Sequence, residues 1–208
     1  MVEAPATVVV IDDDQEVRES LGRLLRSVSL QSRLYGSVAE FLNVGRPDGP
    51  TCLVLDIRLP GQGGLDFQRE LSSASVQMPI VFITGHGDIA MSVQAMKGGA
   101  VEFLTKPFRE QDLLDAIQSG LDRDSGRREK ERAAAAIQAR FDTLTPRERE
   151  VMALAVTGRL NKQIAAVIGV SENTVKIHRG NVLRKMGAAS LVELALMAEK
   201  LKSLLRTP

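Results

Sequence analysis

Polar residues stand at the ends of four apolar segments of this chain, where the strands of a sheet would end. In an open parallel sheet, functional sites form along the carboxyl ends of the strands. Three carboxylates, a hydroxyl and an ammonium group are therefore predicted to converge on one pocket. Carboxylates at short range repel one another unless a cation lies among them, and Mg2+ takes oxygen ligands in proteins. The residues concerned are Asp12 and Asp13 after 7–11, Asp56 after 52–55, Thr84 after 79–83, and Lys106 after 101–105.

The front of the chain alternates between strand and helix patterns, which predicts an α/β fold with a doubly wound, five-stranded parallel sheet. Three of the predicted strands are continuous apolar runs, as expected for strands that are buried on both faces. No glycine-rich phosphate-binding motif follows the first strand, so nucleotide binding has little support. The predicted strands are 7–11, 30–35, 51–55, 79–84 and 101–104, and the predicted helices are 15–27, 37–44, 64–73, 88–98 and 109–122.

The net charge of +1 hides an uneven distribution of charged side chains. Residues 1–125 carry 11 basic and 18 acidic side chains, a net charge of −7, whereas residues 145–208 carry 11 and 5, a net charge of +6. In a chain of 208 residues this asymmetry indicates two domains with different partners. The basic end suits a phosphate backbone, although the same charge would also serve solubility alone.

The back of the chain predicts a small all-α domain of four helices. Thr145 to Glu148 form a capping box with Pro146 at the first helical position. Asn161 is predicted to cap the second helix and Ser171 the third, which runs over 172–186. Two helices joined by a short turn that contains glycine are typical of a helix-turn-helix. The preceding segment, 126–141, is charged and then rich in Ala, which predicts a helical linker, with Gly120 and Gly126 as helix breakers.

The sequence favours a cytoplasmic protein. No apolar run reaches the roughly 18 residues that suggest a membrane helix, and the first residues lack the pattern of a signal peptide. The single cysteine, Cys52, excludes an intrachain disulfide and lies within an apolar strand, where core packing is the simplest interpretation.

The residues at the predicted strand ends indicate phosphoryl chemistry. Asp56 is the candidate nucleophile, since a carboxylate that attacks phosphorus gives an acyl phosphate. Asp12 and Asp13 would hold a metal ion, while Lys106 and Thr84 would contact phosphoryl oxygens; such transfer depends mainly on positioning and electrostatics. The neighbouring Asp14 is interpreted as a solvated residue or a helix cap.

This constellation resembles the receiver domain of two-component response regulators over about residues 6–125. The resemblance rests on the strand-end residues together with Pro60-Gly61 and Pro107, and the segment 84–88 resembles the FixJ-type subgroup. It implies a flavodoxin-like fold with strand order 2-1-3-4-5, and transfer of a phosphoryl group to Asp56 from a sensor histidine kinase. It also implies that Phe103 is the aromatic switch residue beside Thr84. The implied ligands of Mg2+ (or Mn2+) are Asp13, Asp56, the backbone carbonyl of Arg58, and Asp12 partly through water.

The third helix of the back domain carries a polar face opposite its apolar one. Such a face suits the major groove, although a solvated amphipathic helix would look similar. The strings 144–148, 161–165 and 174–178 resemble the DNA-binding domain of LuxR/NarL-type regulators over about residues 141–206. Gly180 departs from that pattern, where a basic residue is frequent. By this resemblance Lys176, Ile177 and Asn181 approach bases, whereas Lys162, Thr174, Arg179 and Arg184 meet phosphates.

These observations predict a phosphorylation-activated transcription regulator that is not an enzyme. The predicted domains are a receiver at 1–125, a helical linker at 126–141 and a helix-turn-helix domain at 142–208. The expected partners are a sensor histidine kinase, promoter DNA and a second copy of the chain after phosphorylation, with RNA polymerase as a further candidate and no membrane. Two alternatives stay open: a switch that binds only proteins, and a phosphatase that uses the carboxylate cluster for hydrolysis.

Overall fold

The structure is a computed structural model that describes residues 4–85 and 87–206, with side chains described as far as residue 201. The chain divides into two compact units, the first ending at Arg128 and the second beginning at Glu129. Each unit has its own apolar core.

The first unit contains one parallel sheet with the strand order β2-β1-β3-β4-β5. This order and direction confirm the predicted flavodoxin-like fold. Three strands, β1, β3 and β4, are buried along their whole length, as their continuous apolar runs predict. The strands are β1 (Thr7–Ile11), β2 (Gln31–Tyr35), β3 (Thr51–Asp56), β4 (Ile80–Thr84) and β5 (Glu102–Thr105).

The register of the sheet aligns the strand ends that carry the candidate site. Ile11 lies level with Leu55 across the β1–β3 pair, so that Asp12 and Asp56 follow side by side. Thr84 lies level with Thr105 across the β4–β5 pair, and Lys106 is the next residue. The predicted convergence of polar residues at one edge is therefore a direct consequence of strand pairing.

Helices cover both faces of the sheet, and alternate strand residues point to each face. On one face, Val9 and Leu53 belong to a core with residues of α2, α3 and α4. On the other face, Val8 and Val54 pack with residues of α1 and α5. The helices are α1 (Gln15–Ser27), α2 (Val38–Val44), α3 (Gly64–Ser73), α4 (Ile89–Lys97) and α5 (Glu110–Asp142).

Helix α5 differs from the sequence prediction, because it runs without a break over 33 residues. Neither Gly120 nor Gly126 has the positive φ that a helix-ending glycine adopts. Gly120 is instead a packing residue: a Cβ there would lie 2.5 Å from Cys52 Sγ. The glycine lets α5 approach β3 closely. Cys52 is fully buried, and burial raises the pKa of its thiol to about 12, which agrees with a packing role.

The second unit consists of four helices that pack with the last turns of α5. Ile137 and Phe141 of α5 lie in the same core as Val182 and Met186. The four helices are α6 (Pro146–Ala155), α7 (Asn161–Ile168), α8 (Glu172–Met186) and α9 (Leu191–Arg206). The predicted capping box at Thr145 and the Ser171 cap are both present.

The predicted cap of α7 is wrong, because Asn161 is its first helical residue and Leu160 occupies the cap position. The Leu160 N–H donates to Gln163 Oε1 at 2.9 Å, so a side chain from inside the helix satisfies the backbone at this end. The Asn161 side chain is thereby free of capping and has another partner, described below.

Within the described ranges, none of the helices combines the length and the apolar content that a bilayer crossing requires.

The two glycines of α5 give a matched pair for testing the packing of this helix. We expect Gly120→Ala to lower the free energy of unfolding by roughly 1–2 kcal/mol, because overpacking against Cys52 outweighs the gain in helix propensity. A Cβ at Gly126 meets nothing within 4 Å, so Gly126→Ala should raise that free energy by roughly 0.5–1 kcal/mol. Urea unfolding followed by circular dichroism checks both, and equal stabilisation by the two substitutions would contradict the close approach.

Candidate phosphoryl-transfer site and nucleic-acid interface

Three carboxylates meet at the carboxyl edge of the sheet. Oxygen atoms of Asp12, Asp13 and Asp56 all lie within 4.8 Å of one another. Asp12 and Asp56 are buried, whereas Asp13 is exposed to solvent. The cluster therefore has a buried floor and one open side, from which an ion or a phosphoryl group can enter.

The ammonium group of Lys106 lies between two of these carboxylates. Its Nζ is 2.6 Å from Asp12 Oδ2 and 2.9 Å from Asp56 Oδ2. The backbone of Lys106 is held at the end of β5, because its N–H donates to the carbonyl oxygen of Thr84 at 2.8 Å. The Lys106–Pro107 peptide bond is cis.

Burial and charge act in opposite directions on these groups. Burial raises the pKa of the Asp12 carboxyl, although the hydrogen bond from Lys106 favours its charged form. Burial alone would lower the pKa of Lys106, but the hydrogen bonds to Asp12 and Asp56 outweigh it and raise that pKa above its usual value. Lys106 is therefore charged at neutral pH, and one cation faces three carboxylates.

Backbone N–H groups fix the orientation of both buried carboxylates. The Asp14 N–H donates to Asp12 Oδ1 and the Arg58 N–H donates to Asp56 Oδ1, both at 2.9 Å. The backbone of residue 58 thus lies beside the Asp56 carboxylate, while the Arg58 carbonyl as a metal ligand stays a prediction. Asp14 itself caps α1, since its Oδ1 accepts the N–H of Glu16 at 2.8 Å, which agrees with the cap interpretation.

The donor set fits a hard divalent cation such as Mg2+ or Mn2+. Such ions prefer carboxylate and carbonyl oxygens and keep several water ligands, which an open side allows. The exposed Asp13 lies on that side, and the excess of negative charge over Lys106 favours a cation there.

The predicted switch residues lie on the neighbouring strands β4 and β5. Thr84 ends β4 and is almost completely buried. Phe103 of β5 is half-buried, and a Cβ at Gly87 would lie 2.9 Å from its Cε1 atom. The Phe103 ring therefore lies against Gly87, between β4 and α4. His86 in that segment lies outside the described residues.

Sequence reasoning missed Arg18, whose Nη1 donates to the Asp12 carbonyl at 2.7 Å. The one sequence feature that points to this role is the position of Arg18 in the first half of the helix that follows Asp12. Arg18 thus supports the backbone at the end of β1.

Helix α8 presents the face that was predicted to contact DNA. Val175, Val182 and Met186 are buried against the rest of the unit. Lys176 and Ile177 are exposed, and 57% of the Ile177 surface is accessible. Arg184 and the α7 residue Lys162 are also exposed, while Asn181 is half-buried. An exposed strip with donors and one branched apolar side chain suits base edges and thymine methyl groups.

Two of the predicted phosphate contacts already have partners within the protein. Arg179 Nη1 donates to Asn161 Oδ1 at 2.5 Å, which joins the start of α7 to the middle of α8. The Thr174 hydroxyl lies 2.9 Å from the Ser171 hydroxyl, in the cap of α8. Phosphate contacts by Arg179 and Thr174 stay predictions. They require that each side chain either breaks its present hydrogen bond or contacts the phosphate while keeping it.

A buried ion pair fixes α8 against α6. Glu148, which is only 4% exposed, accepts from Lys185 Nζ at 2.6 Å and from the Thr145 N–H at 2.9 Å. These bonds, with Lys185 as the stronger influence, lower the pKa of Glu148. Removing one partner of a buried pair leaves an uncompensated charge, so this pair stabilises the position of the candidate recognition helix.

Comparison with protein families gives a match for each unit. Residues 8–118 match the family model described as response regulator receiver domain. Residues 142–198 match the family model described as bacterial regulatory proteins, luxR family. The two matches follow one another along the chain without overlap.

Relatives and solved structures match nearly the whole length of the chain. Nodulation protein W of Bradyrhizobium diazoefficiens is 54% identical over 94% of this chain and 86% of its own length. The transcriptional regulatory protein FixJ of Azorhizobium caulinodans is 43% identical over 92% of this chain and 90% of its own. The structure of the response regulator StyR is 47% identical, covers 95% of this chain and all of its own, and has a TM-score of 0.88.

Neighbouring aspartates provide a matched test of the cation site. We expect Asp13→Asn to weaken Mg2+ binding by more than the roughly tenfold that loss of an outer-shell partner causes. Asp14→Asn should leave Mg2+ affinity and stability unchanged, because Asn caps a helix as well as Asp does. Isothermal titration calorimetry with Mg2+ measures both, and equal affinities for the two variants would show that Asp13 is not a ligand.

Proposed function

The chain belongs to the response regulators that join a receiver domain to a LuxR-type DNA-binding domain, and we propose that Asp56 is its phosphoryl acceptor. The protein is a transcriptional response regulator. The observation that supports the role of Asp56 best is the Lys106 ammonium group, which bridges Asp56 and Asp12 at the edge of the sheet.

In the proposed reaction, a carboxylate oxygen of Asp56 attacks the phosphorus of a phosphohistidine on a sensor histidine kinase. An O–P bond forms, the P–N bond breaks, and its electron pair returns to the imidazole nitrogen. The Lys106 ammonium group pairs with one phosphoryl oxygen, and the Thr84 hydroxyl donates a hydrogen bond to another. Asp13, Asp56 and the Arg58 carbonyl, with Asp12 partly through water, would hold Mg2+, which would neutralise further charge when bound. Asp56 is consumed as a substrate, so the chain is not proposed to be a turnover enzyme.

The proposed response runs from Thr84 to the surface around α4. Thr84 moves toward the phosphoryl group, Phe103 follows, and the face formed by α4, β5 and the first turns of α5 changes. On α4 this face carries exposed apolar side chains, with Val93 and Met96 each 45% accessible. Such a strip supports pairing with a second copy of the chain, which is the proposed consequence of phosphorylation.

The proposed readout is binding of promoter DNA by α8. Lys176, Ile177 and Asn181 approach the DNA bases. The residues that meet DNA phosphates are Lys162, Thr174, Arg179 and Arg184. A dimer places two copies of α8 on half-sites about one DNA turn apart. RNA polymerase is the further partner of a regulator bound at a promoter, and the bacterial cytoplasm is the proposed location.

We also propose that the DNA-binding domain begins before residue 142, because Ile137 and Phe141 belong to its core. The receiver then extends to about residue 128, where the first compact unit ends.

The phosphoryl acceptor is tested by Asp56→Asn. The amide is nearly isosteric but a poor nucleophile, so the variant should fold normally and gain no phosphoryl adduct from acetyl phosphate and Mg2+. Intact mass spectrometry measures the adduct, and Asp66→Asn, an exposed position on α3, serves as the control that still gains it. Undiminished labelling of Asp56→Asn would disprove the assignment, and repeated turnover of an external phosphoester would instead support a phosphatase.

The DNA contacts are tested by comparing two exposed lysines. Lys176→Ala should cost about 1–3 kcal/mol of specific binding and relax the preference at one base pair. Lys162→Ala should weaken binding to all sequences alike and reduce the salt dependence by about one ion. Fluorescence anisotropy with specific and unrelated DNA at several salt concentrations measures both. If Lys176→Ala changes neither affinity nor preference, α8 does not lie in the groove as proposed.

A further inference from the structure

Helix α5 has a long stretch without an apolar anchor. Leu121 is buried against the sheet, and the next buried apolar side chain of the helix is Ile137, in the second unit. Between these two positions the one buried side chain is Asp124, which has no accessible surface. A helical segment of about this length is marginally stable in water on its own. Interactions of Asp124 are therefore what can hold the middle of α5.

Both oxygen atoms of Asp124 are fully engaged. Oδ1 accepts from Arg46 Nη2 at 2.5 Å and from Arg127 Nη2 at 2.7 Å. Oδ2 accepts from the Thr51 N–H at 2.9 Å and from Arg128 Nε at 2.9 Å. The hydrogen bonds thus join α5 to the start of β3 and to the loop that precedes it.

The same loop has further contacts with the arginines of this group. Arg128 donates from Nη2 to the Pro47 carbonyl at 3.1 Å and from Nη1 to the Asp48 carbonyl. Arg46 donates from Nη1 to the carbonyl of Gln77 at 3.0 Å. We call Asp124, Arg46, Arg127 and Arg128 the α5 clamp. Three largely buried guanidinium groups surround one fully buried carboxylate, so the negative charge of Asp124 is compensated.

The pKa of Asp124 reflects this pairing. Burial alone would raise it, but the hydrogen bonds from Arg46, Arg127 and the Thr51 N–H outweigh burial and lower the pKa to about 2. The carboxylate is therefore charged throughout the physiological range. Stability from the clamp is present above the ordinary Asp pKa of 3.8 and is lost as the pH falls toward 2.

The clamp is far from the phosphoryl acceptor. Thr51 begins β3 and Asp56 ends it, so the two lie at opposite ends of a strand of six residues. At about 3.3 Å per residue, the separation is roughly 16 Å. The family match to the receiver ends at residue 118, before Asp124.

We propose that Asp124 is a positioning residue that fixes the departing part of α5 on the receiver and thereby couples phosphorylation to DNA binding. The proposal rests on the proposed function, because it concerns how a phosphorylated receiver acts on the DNA-binding unit. At its far end, α5 contacts α8 directly: Arg140 Nη1 donates to the Met186 carbonyl at 3.1 Å. A change in the receiver can bias α8 through this helix only while its middle is held.

The test uses the full chain with Asp124→Asn, which removes the charge at nearly constant shape. Asp122→Asn is the matched control, since Asp122 is an exposed residue of the same helix that accepts from Gln118. Arg128→Gln is a milder variant that leaves Asp124 paired with Arg46 and Arg127. Three quantities are measured: adduct formation from acetyl phosphate, hydrogen exchange over residues 122–136, and DNA affinity with and without phosphorylation.

We expect Asp124→Asn and Arg128→Gln to gain the phosphoryl adduct as the unaltered chain does. Exchange over 122–136 should become at least tenfold faster in Asp124→Asn, while strands β1, β3 and β4 stay protected. The ratio of phosphorylated to unphosphorylated DNA affinity should fall toward one in Asp124→Asn, partly in Arg128→Gln, and not in Asp122→Asn.

Three results would overturn the proposal. One is unchanged exchange in Asp124→Asn, and another is faster exchange with an unchanged affinity ratio. The third is loss of protection throughout the receiver in both clamp variants, which indicates a role in global stability alone. If the DNA affinity of the unaltered chain were the same with and without phosphorylation, the proposed function itself would be contradicted. That result is distinguishable because it appears without any substitution.

Discussion

A single ammonium group holds two buried carboxylates together at the carboxyl edge of the sheet. Without Lys106, the like charges of Asp12 and Asp56 would repel each other at the buried floor of the site. The bridge places one positive charge between both carboxylates, and the three carboxylates against one ammonium group leave negative charge that a divalent cation can offset. The same ammonium group is positioned to pair with an oxygen of a phosphoryl group on Asp56. The geometry of the site and its chemistry thus depend on one pair of contacts.

Much of this site follows from the sequence, because a local change from apolar to polar residues marks each strand end. Continuous apolar runs predict buried parallel strands, and the residue after each run must lie at one common edge. The order of β1, β3, β4 and β5 then brings Asp12, Asp56, Thr84 and Lys106 together. The polar face of α8 is predicted for a similar reason. The helical period of 3.6 residues places Val175 and Val182 on one face and Lys176 and Ile177 on another.

Other features depend on contacts between distant segments, and the sequence pattern could not reveal them. Gly120 looks like a helix breaker until Cys52 is known to occupy the space of its side chain. Arg179 has a partner that the sequence pattern does not reveal, because its guanidinium group donates to Asn161. Asp124 looks like an ordinary charge in a polar helix, because its partners Arg46 and Thr51 lie more than seventy residues away. Propensity alone does not decide whether a charged helical segment stays solvated or pairs with another part of the chain.

Phosphorylation of Asp56 is proposed to control DNA binding by α8. The most direct measurement is the affinity of the full chain for a DNA fragment selected from genomic DNA, with and without acetyl phosphate and Mg2+, for the unaltered protein and for Asp56→Asn. Phosphorylation should increase the affinity of the unaltered protein by at least about fivefold, the lower end of typical coupling between sites, and leave Asp56→Asn unaffected. Equal affinity in all four conditions, or an equal response of Asp56→Asn, would contradict the account.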